Sequence, residues 1–138
     1  MRIEIHAVPV EQDGHKFLRI KQPVTLTNYT GPTTQKRIRI KAIWDTGATN
    51  TCIPLKLAAA MGIKLGEPSP LAKIRKVEQS FFCQLNLEFP TGENIFVPEA
   101  LAVENMKPEL VIGMDVISKG VTTIEPDGSG GVHFTFIL

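Results

Sequence analysis

Apolar residues recur at every second position along most of this chain. Phe81, Cys83, Leu85, Leu87 and Phe89 alternate with Phe82, Gln84, Asn86 and Glu88, and successive strand residues point to opposite faces of a sheet. The same period runs through residues 2–10, where Ile3, Ile5 and Ala7 alternate with Glu4 and His6, and through residues 17–28 and 36–44. Shorter apolar runs at 93–97, 101–103, 110–112, 121–124 and 132–138 extend the pattern. Turn residues separate them. Residues 29–34, Pro90-Thr91-Gly92, Asp13-Gly14 and Asp127-Gly128 all carry turn chemistry. This rhythm predicts an all-β fold.

Helical signals are few. Residues 54–61 place Pro54 at a first turn, good helix formers behind it and Gly62 as a stop; a shorter helix is expected over 115–119, ending at Gly120. With 138 residues and no linker or low-complexity stretch, the expectation is a single domain over residues 1–138, large enough to bury roughly two-thirds of its unfolded surface.

Charge and cysteine usage exclude several partner classes. Fifteen Lys and Arg against fourteen Asp and Glu leave a net charge of +1, which gives no general reason to expect nucleic acid or an anionic membrane. The basic run 36–41 puts its charges largely on alternate positions and reads as the solvated face of a strand. No segment approaches the ~18 apolar residues of a membrane span, and no early apolar run resembles a signal peptide, so a cytoplasmic setting is expected. Cys52 and Cys83 lack metal-ligand or disulfide-framework spacing and read as small, mostly buried residues.

One carboxylate stands apart. Residues 42–54 read AIWDTGATNTCIP: an apolar run delivers Asp45 to a strand end, where desolvation disfavours charge, and then breaks into small residues and hydroxyls. Downstream, Leu110-Val111-Ile112-Gly113-Met114-Asp115 is another apolar run into a glycine, followed directly by a helical signal. Ile43-Trp44-Asp45-Thr46-Gly47-Ala48 together with Val111-Ile112-Gly113 resembles the motif pair of the pepsin-like and retroviral aspartic proteases, and the chain's length resembles the retroviral, retropepsin-like type.

That resemblance implies a closed, barrel-like acid protease fold with one or two short helices, and an aspartic endopeptidase activity. Metal-free hydrolysis of an amide needs one carboxylate to take a proton from water and one acid to protonate the carbonyl oxygen. Two aspartates in contact do both, because like charges there cannot both ionise easily and the pair shares a proton. This chain supplies only one such residue, since Asp13 and Asp127 read as turn formers and Asp115 as a helix-start carboxylate. A homodimer that brings Asp45 beside its symmetry mate completes the pair. By resemblance Thr46 orients the dyad, the Gly47 and Ala48 backbone contacts an extended peptide or protein substrate, Ile112 and Gly113 support the loop, Asp115 is structural, and the terminal strands, 2–10 and 132–138, form the dimer interface. No metal or organic cofactor is implied.

Family members cover the cleft with a glycine-containing hairpin between the two motifs. Here residues 64–72 hold two prolines and only Gly66, which points to a short, stiff or displaced flap. Four other readings compete. Asp45 can simply cap a turn, or the chain can be a dimeric module that holds peptides or small ligands without cutting. Residues 45–50 also resemble the phosphate loop of sugar kinases and actin-like ATPases, but the chain is too short for their two lobes. Cysteine catalysis by Cys52 with His6, His15 or His133 lacks any supporting motif.

Overall fold

A computed structural model describes residues 1–29, 35–70 and 79–138. In chain order its elements are β1 (Arg2–Ala7), β2 (Val10–Gln12), β3 (His15–Phe17), β4 (Lys21–Tyr29), β5 (Gln35–Trp44), β6 (Cys52–Pro54), α1 (Leu55–Ala60), β7 (Leu65–Pro68), β8 (Ser80–Glu88), β9 (Asn94–Val103), β10 (Leu110–Ile112), α2 (Met114–Ile117), β11 (Val121–Pro126) and β12 (Val132–Ile137). The expected turn at 30–34 lies outside the described residues. So do Leu71 and Ala72 of the expected flap segment.

Seven strands form one sheet in the order β4-β5-β10-β6-β9-β8-β7, and β4 also pairs with β8. That extra pairing, Thr25↔Glu88 through Thr27↔Asn86, closes six of the strands into a barrel and leaves β7 outside as a flanking strand. Closure removes the sheet edges that would otherwise be open to other chains. Inside lie Val24, Leu26, Ala42, Ile53, Leu85, Leu87, Val97, Leu110 and Ile112, all buried.

A second sheet joins the two ends of the chain in the order β1-β12-β11. Its inner face carries Ile3, Ile5, Phe134 and Phe136, all buried. These meet the barrel at Trp44, whose ring lies 5.1 Å from Phe134, 5.0 Å from Phe136 and 5.9 Å from Phe89, centroid to centroid. The indole N–H is satisfied by the Gln22 side-chain oxygen at 2.8 Å. Phe134→Ala is expected to cost ~3–5 kcal/mol, because the large void would be lined by rings that cannot collapse into it; a urea titration measures this.

Several elements differ from the sequence expectation, each for a local reason. The expected strand 2–10 breaks after Ala7: Pro9 has no N–H to donate to a ladder, and the chain leaves the terminal sheet there. The expected strand 17–28 starts later, at Lys21, because residues 10–17 form their own hairpin, Val10↔Phe17 and Gln12↔His15. Its turn is Asp13-Gly14, with φ of 52° and 75°, the left-handed pair that suits a two-residue hairpin. The runs at 93–97 and 101–103 are one strand, β9, whose register against β8 shifts between Cys83↔Ala100 and Leu85↔Val97. The extra length at this bulge holds Pro98, which donates nothing to the ladder. Helix α1 begins one residue later than expected, with Pro54 as its N-cap, and Gly62 just beyond its end has φ of 68°.

Candidate active site

Strand β10 is inserted between β5 and β6. It runs parallel to β5, with Val111 beside Ile43 and Ile112 beside Trp44, and antiparallel to β6 through Val111↔Cys52. The two apolar runs that end in Asp45 and Gly113 therefore finish side by side. Asp45 donates its backbone N–H to the Ile112 carbonyl at 2.9 Å, so the inserted strand sets the position from which the carboxylate leaves the sheet.

Asp45, Thr46 and Gly47 are exposed and Ala48 is buried. One Asp45 oxygen, Oδ1, accepts the Gly47 N–H at 2.8 Å, and the Ala48 N–H bonds back to the Asp45 carbonyl at 3.2 Å. A Cβ at position 47 would lie 3.2 Å from that same Oδ1. Glycine there lets the loop close around the carboxylate without crowding it.

The loop is held from behind by the start of α2. Met114 donates its N–H to the Ala48 carbonyl at 2.8 Å and Asp115 donates its N–H to the Thr49 carbonyl at 3.1 Å. Asp115 turns its carboxylate the other way, accepting the Thr51 N–H at 2.9 Å, the Thr51 hydroxyl at 2.8 Å and the Val116 N–H at 3.0 Å. Thr51 Oγ1 in turn accepts the Gly113 N–H at 3.2 Å. Gly113 sits so close to the loop that a Cβ would fall 2.7 Å from the Asn50 carbonyl and 2.8 Å from that of Ala48. Its φ of −97° suits any residue; the requirement for glycine is steric.

Thr51 is the member of this arrangement that sequence reasoning missed. Fully buried, it links the Asp45 loop, Gly113 and Asp115 through one hydroxyl. A threonine in a stretch already rich in threonines carries no pattern that singles it out; only the meeting of β6 with α2 does.

Beside Asp45 opens a cavity of about 620 Å³, lined by Ile20, Ile43, Met106, Lys107 and Val111 among others. The segment expected at the flap position is β7, which pairs antiparallel with β8 through Leu65↔Cys83 and Pro68↔Phe81. Ser69 extends that pairing by donating its N–H to Ser80 at 2.8 Å. Proline is compatible with such a flanking strand, where one side of the backbone has no strand partner among the described residues. Phe81 and Phe82 in the facing strand are both half-buried.

The rival chemistries find little here. Cys83 is buried, and that burial pushes its thiol up to about 11, with Cys52 adding to the effect; it stays protonated and is no nucleophile at neutral pH. Cys52 is half-buried and donates its S–H to the Asn50 carbonyl. His6 and His133 stack on each other, ring centroids 4.4 Å apart, in the terminal sheet. Among the described residues no group of three or more His, Cys, Asp or Glu could hold a metal ion, and no helix is long and apolar enough to cross a membrane.

No protein-family model matches the sequence, and no curated protein matches it either. Solved structures do match. A retropepsin-like aspartic protease from Rickettsia conorii is similar over 99% of this chain and 93% of its own, with a TM-score of 0.56 and 13% sequence identity. The retroviral protease-like domain of Ddi1 from Leishmania major aligns over 88% of this chain and 81% of its own, with a TM-score of 0.47 and 16% identity. With a six-stranded closed barrel, a strand inserted beside the Asp45 loop and a similarity to the Rickettsia structure that runs nearly end to end, this chain has the retropepsin-like fold.

Proposed function

We propose that the chain is an aspartic endopeptidase that works as a homodimer, with Asp45 of each copy forming the catalytic dyad. One observation carries this reading. Asp45 is presented to solvent at the end of a strand whose inward residues Ile40, Ala42 and Trp44 are buried, its backbone N–H tied to Ile112 and one carboxylate oxygen tied to Gly47. A loop braced by this many bonds around a single exposed carboxylate is preorganised for that carboxylate to act.

In the dimer the ionised member of the pair takes a proton from a water held between the two, and the water oxygen attacks the peptide carbonyl carbon. The protonated member gives its proton to the carbonyl oxygen, forming a gem-diol. Collapse of the gem-diol breaks the C–N bond: the aspartate that took the water proton gives it to the departing amine, and the other aspartate takes a proton back from a gem-diol hydroxyl, so that the pair again shares one proton. The apparent acidities belong to the pair and not to either residue. Thr46 orients the loops across the axis, and the exposed backbone at Gly47 receives an extended substrate as an added strand. Ile112, Gly113 and Asp115 support the loop.

The terminal sheet supports a twofold assembly. Its edge strands β1 and β11 have unpaired sides among the described residues, and Val121 is 66% and Ile137 42% exposed where they neighbour each other in the ladder. Trp44, the residue before Asp45, packs on this sheet through Phe134 and Phe136, so a contact through the sheet would bring the two carboxylates near one axis. A cytoplasmic setting belongs to the same proposal, since Cys52 and Cys83 form no disulfide that would need an oxidising compartment.

The dimer requirement has a direct test. Specific activity on a peptide substrate is expected to fall in proportion to protein concentration once dilution passes the dimer dissociation constant, and sedimentation should show dimer giving way to monomer over the same range. Full specific activity in samples that sediment only as monomer would sink the shared dyad.

A further inference from the structure

We propose that a basic track leading away from Asp45 along the outside of β4 and β5 docks an acidic stretch of the protein substrate, several residues from the bond that is cut. The proposal extends the protease reading, because the track starts at the Asp45 cavity.

Three concavities adjoin one another. The Asp45 cavity shares Arg19 with a second, of about 260 Å³, lying between the β2–β3 ribbon and the barrel. The second shares Lys21 and Lys41 with a third, of about 360 Å³, which reaches Arg39. Every shared residue is a cation. Lys107 adds another at the Asp45 end. Besides Asp45 itself, Glu109 supplies the one carboxylate in the three linings, and it is already engaged by Lys21 at 3.3 Å.

Arg39, Lys41 and Lys107 have no carboxylate partner among the described residues. Arg19 lies over the Phe17 ring, 5.7 Å from its centroid, a contact that positions the guanidinium without neutralising it. Arg39 and Lys41 stand two apart on the exposed face of β5, so their Cα atoms are roughly 6.6 Å apart. That is also the repeat of alternate side chains on an extended peptide. Like charges on one strand face repel each other, and carboxylates at alternate positions of a bound peptide would relieve that repulsion. Val10 and Phe17, 61% and 41% exposed, offer such a peptide an apolar contact in the middle of the track.

A nucleic acid fits less well. Phe17, the one aromatic ring in the second and third concavities, already has a guanidinium over it.

The test uses full-length protein carrying Asp45→Asn, so that peptides bind without being cut. Two fluorescein-labelled peptides of about twelve residues are compared by anisotropy at low salt, one with glutamate at alternate positions and one with glutamine in their place. The glutamate peptide is expected to bind roughly 10-fold tighter, the order that three exposed ion pairs supply, and the difference should shrink as salt screens it. Arg39→Gln with Lys41→Gln should erase the preference, whereas Lys56→Gln, which removes an exposed charge on α1, should keep it. With Asp45 intact, the preference should appear in KM and not in kcat.

Equal affinity for the two peptides, or equal loss in the Lys56 variant, would overturn the proposal. So would an oligonucleotide of similar length that binds as tightly and displaces the peptide. A preference that vanishes only together with a change in sedimentation would assign the track to a contact between copies and also overturn it. Tight glutamate-peptide binding without any cleavage by the unmodified protein removes the protease reading and leaves the track standing; cleavage with no acidic preference does the reverse.

Discussion

Asp45→Asn is expected to lower peptide cleavage by ~10³-fold or more while leaving the unfolding free energy from a urea titration within about 0.5 kcal/mol of the parent value. The separation of the two effects follows from the geometry. The Asp45 carboxylate is exposed and its one described bond is to the Gly47 N–H, which an asparagine carbonyl can accept equally well. What asparagine does not do is take a proton from water. In the proposed dimer the variant's active site lacks both carboxylates. Mixing variant and parent chains should give mixed dimers with one carboxylate, which are also expected to be inactive. A module of this fold that binds without cutting would show ligand affinity in the variant and turnover in neither protein. Unchanged cleavage by the variant would remove Asp45 from the mechanism.

Gly113→Ala is the second large effect, and it acts through packing. The added methyl group would sit 2.7 Å from the Asn50 carbonyl and 2.8 Å from the Ala48 carbonyl, and both are main-chain atoms that cannot rotate away. Ala48 is further held by the N–H of Met114, and Asn50 by its neighbour Thr51, which Asp115 grips twice. Relief therefore requires β10 and the Asp45 loop to separate. We expect a loss of ~2–3 kcal/mol in stability and a loss of activity comparable to that of the Asp45 variant, because moving Ile112 moves the carbonyl that accepts the Asp45 N–H. Crystallography or amide exchange at Asp45 would show the displacement. An alanine variant with parental stability and activity would mean that the loop is far more compliant than its bonds imply.

The strands that bury one face were the legible ones. The alternation from Phe81 to Phe89 corresponds to β8, and those in the terminal segments correspond to β1 and β12. The motif pair was legible as well: the two runs that end in Asp45 and Gly113 lie in register as neighbouring parallel strands. Elements too short to show a period escaped. Strand β6 has three residues and owes its place to partners on both sides, Val111 and Leu101. Strand β7 falls in the segment read from the sequence as a short, stiff or displaced flap, and it is a strand because β8 extends past the barrel and offers it an edge. The β2–β3 hairpin is exposed throughout, so burial left no mark on its sequence. Thr51 illustrates the same limit at the site, since its role depends on two segments far apart in the chain arriving at one hydroxyl.

The inserted strand also sets an order of assembly. Strand β10 slots between β5 and β6 after the whole of β7, β8 and β9 has been laid down, and contacts so distant in sequence close late and slowly. During synthesis from the N-terminus, a nascent chain that has emerged only as far as β9 already contains Asp45 but not the carbonyl that receives its N–H or the helix start that holds Ala48 and Thr49. The Asp45 loop is thus left unfinished until β10 and the start of α2 emerge. On the protease reading proposed above, a nascent copy would stay harmless to its own ribosome and to neighbouring chains until both have emerged.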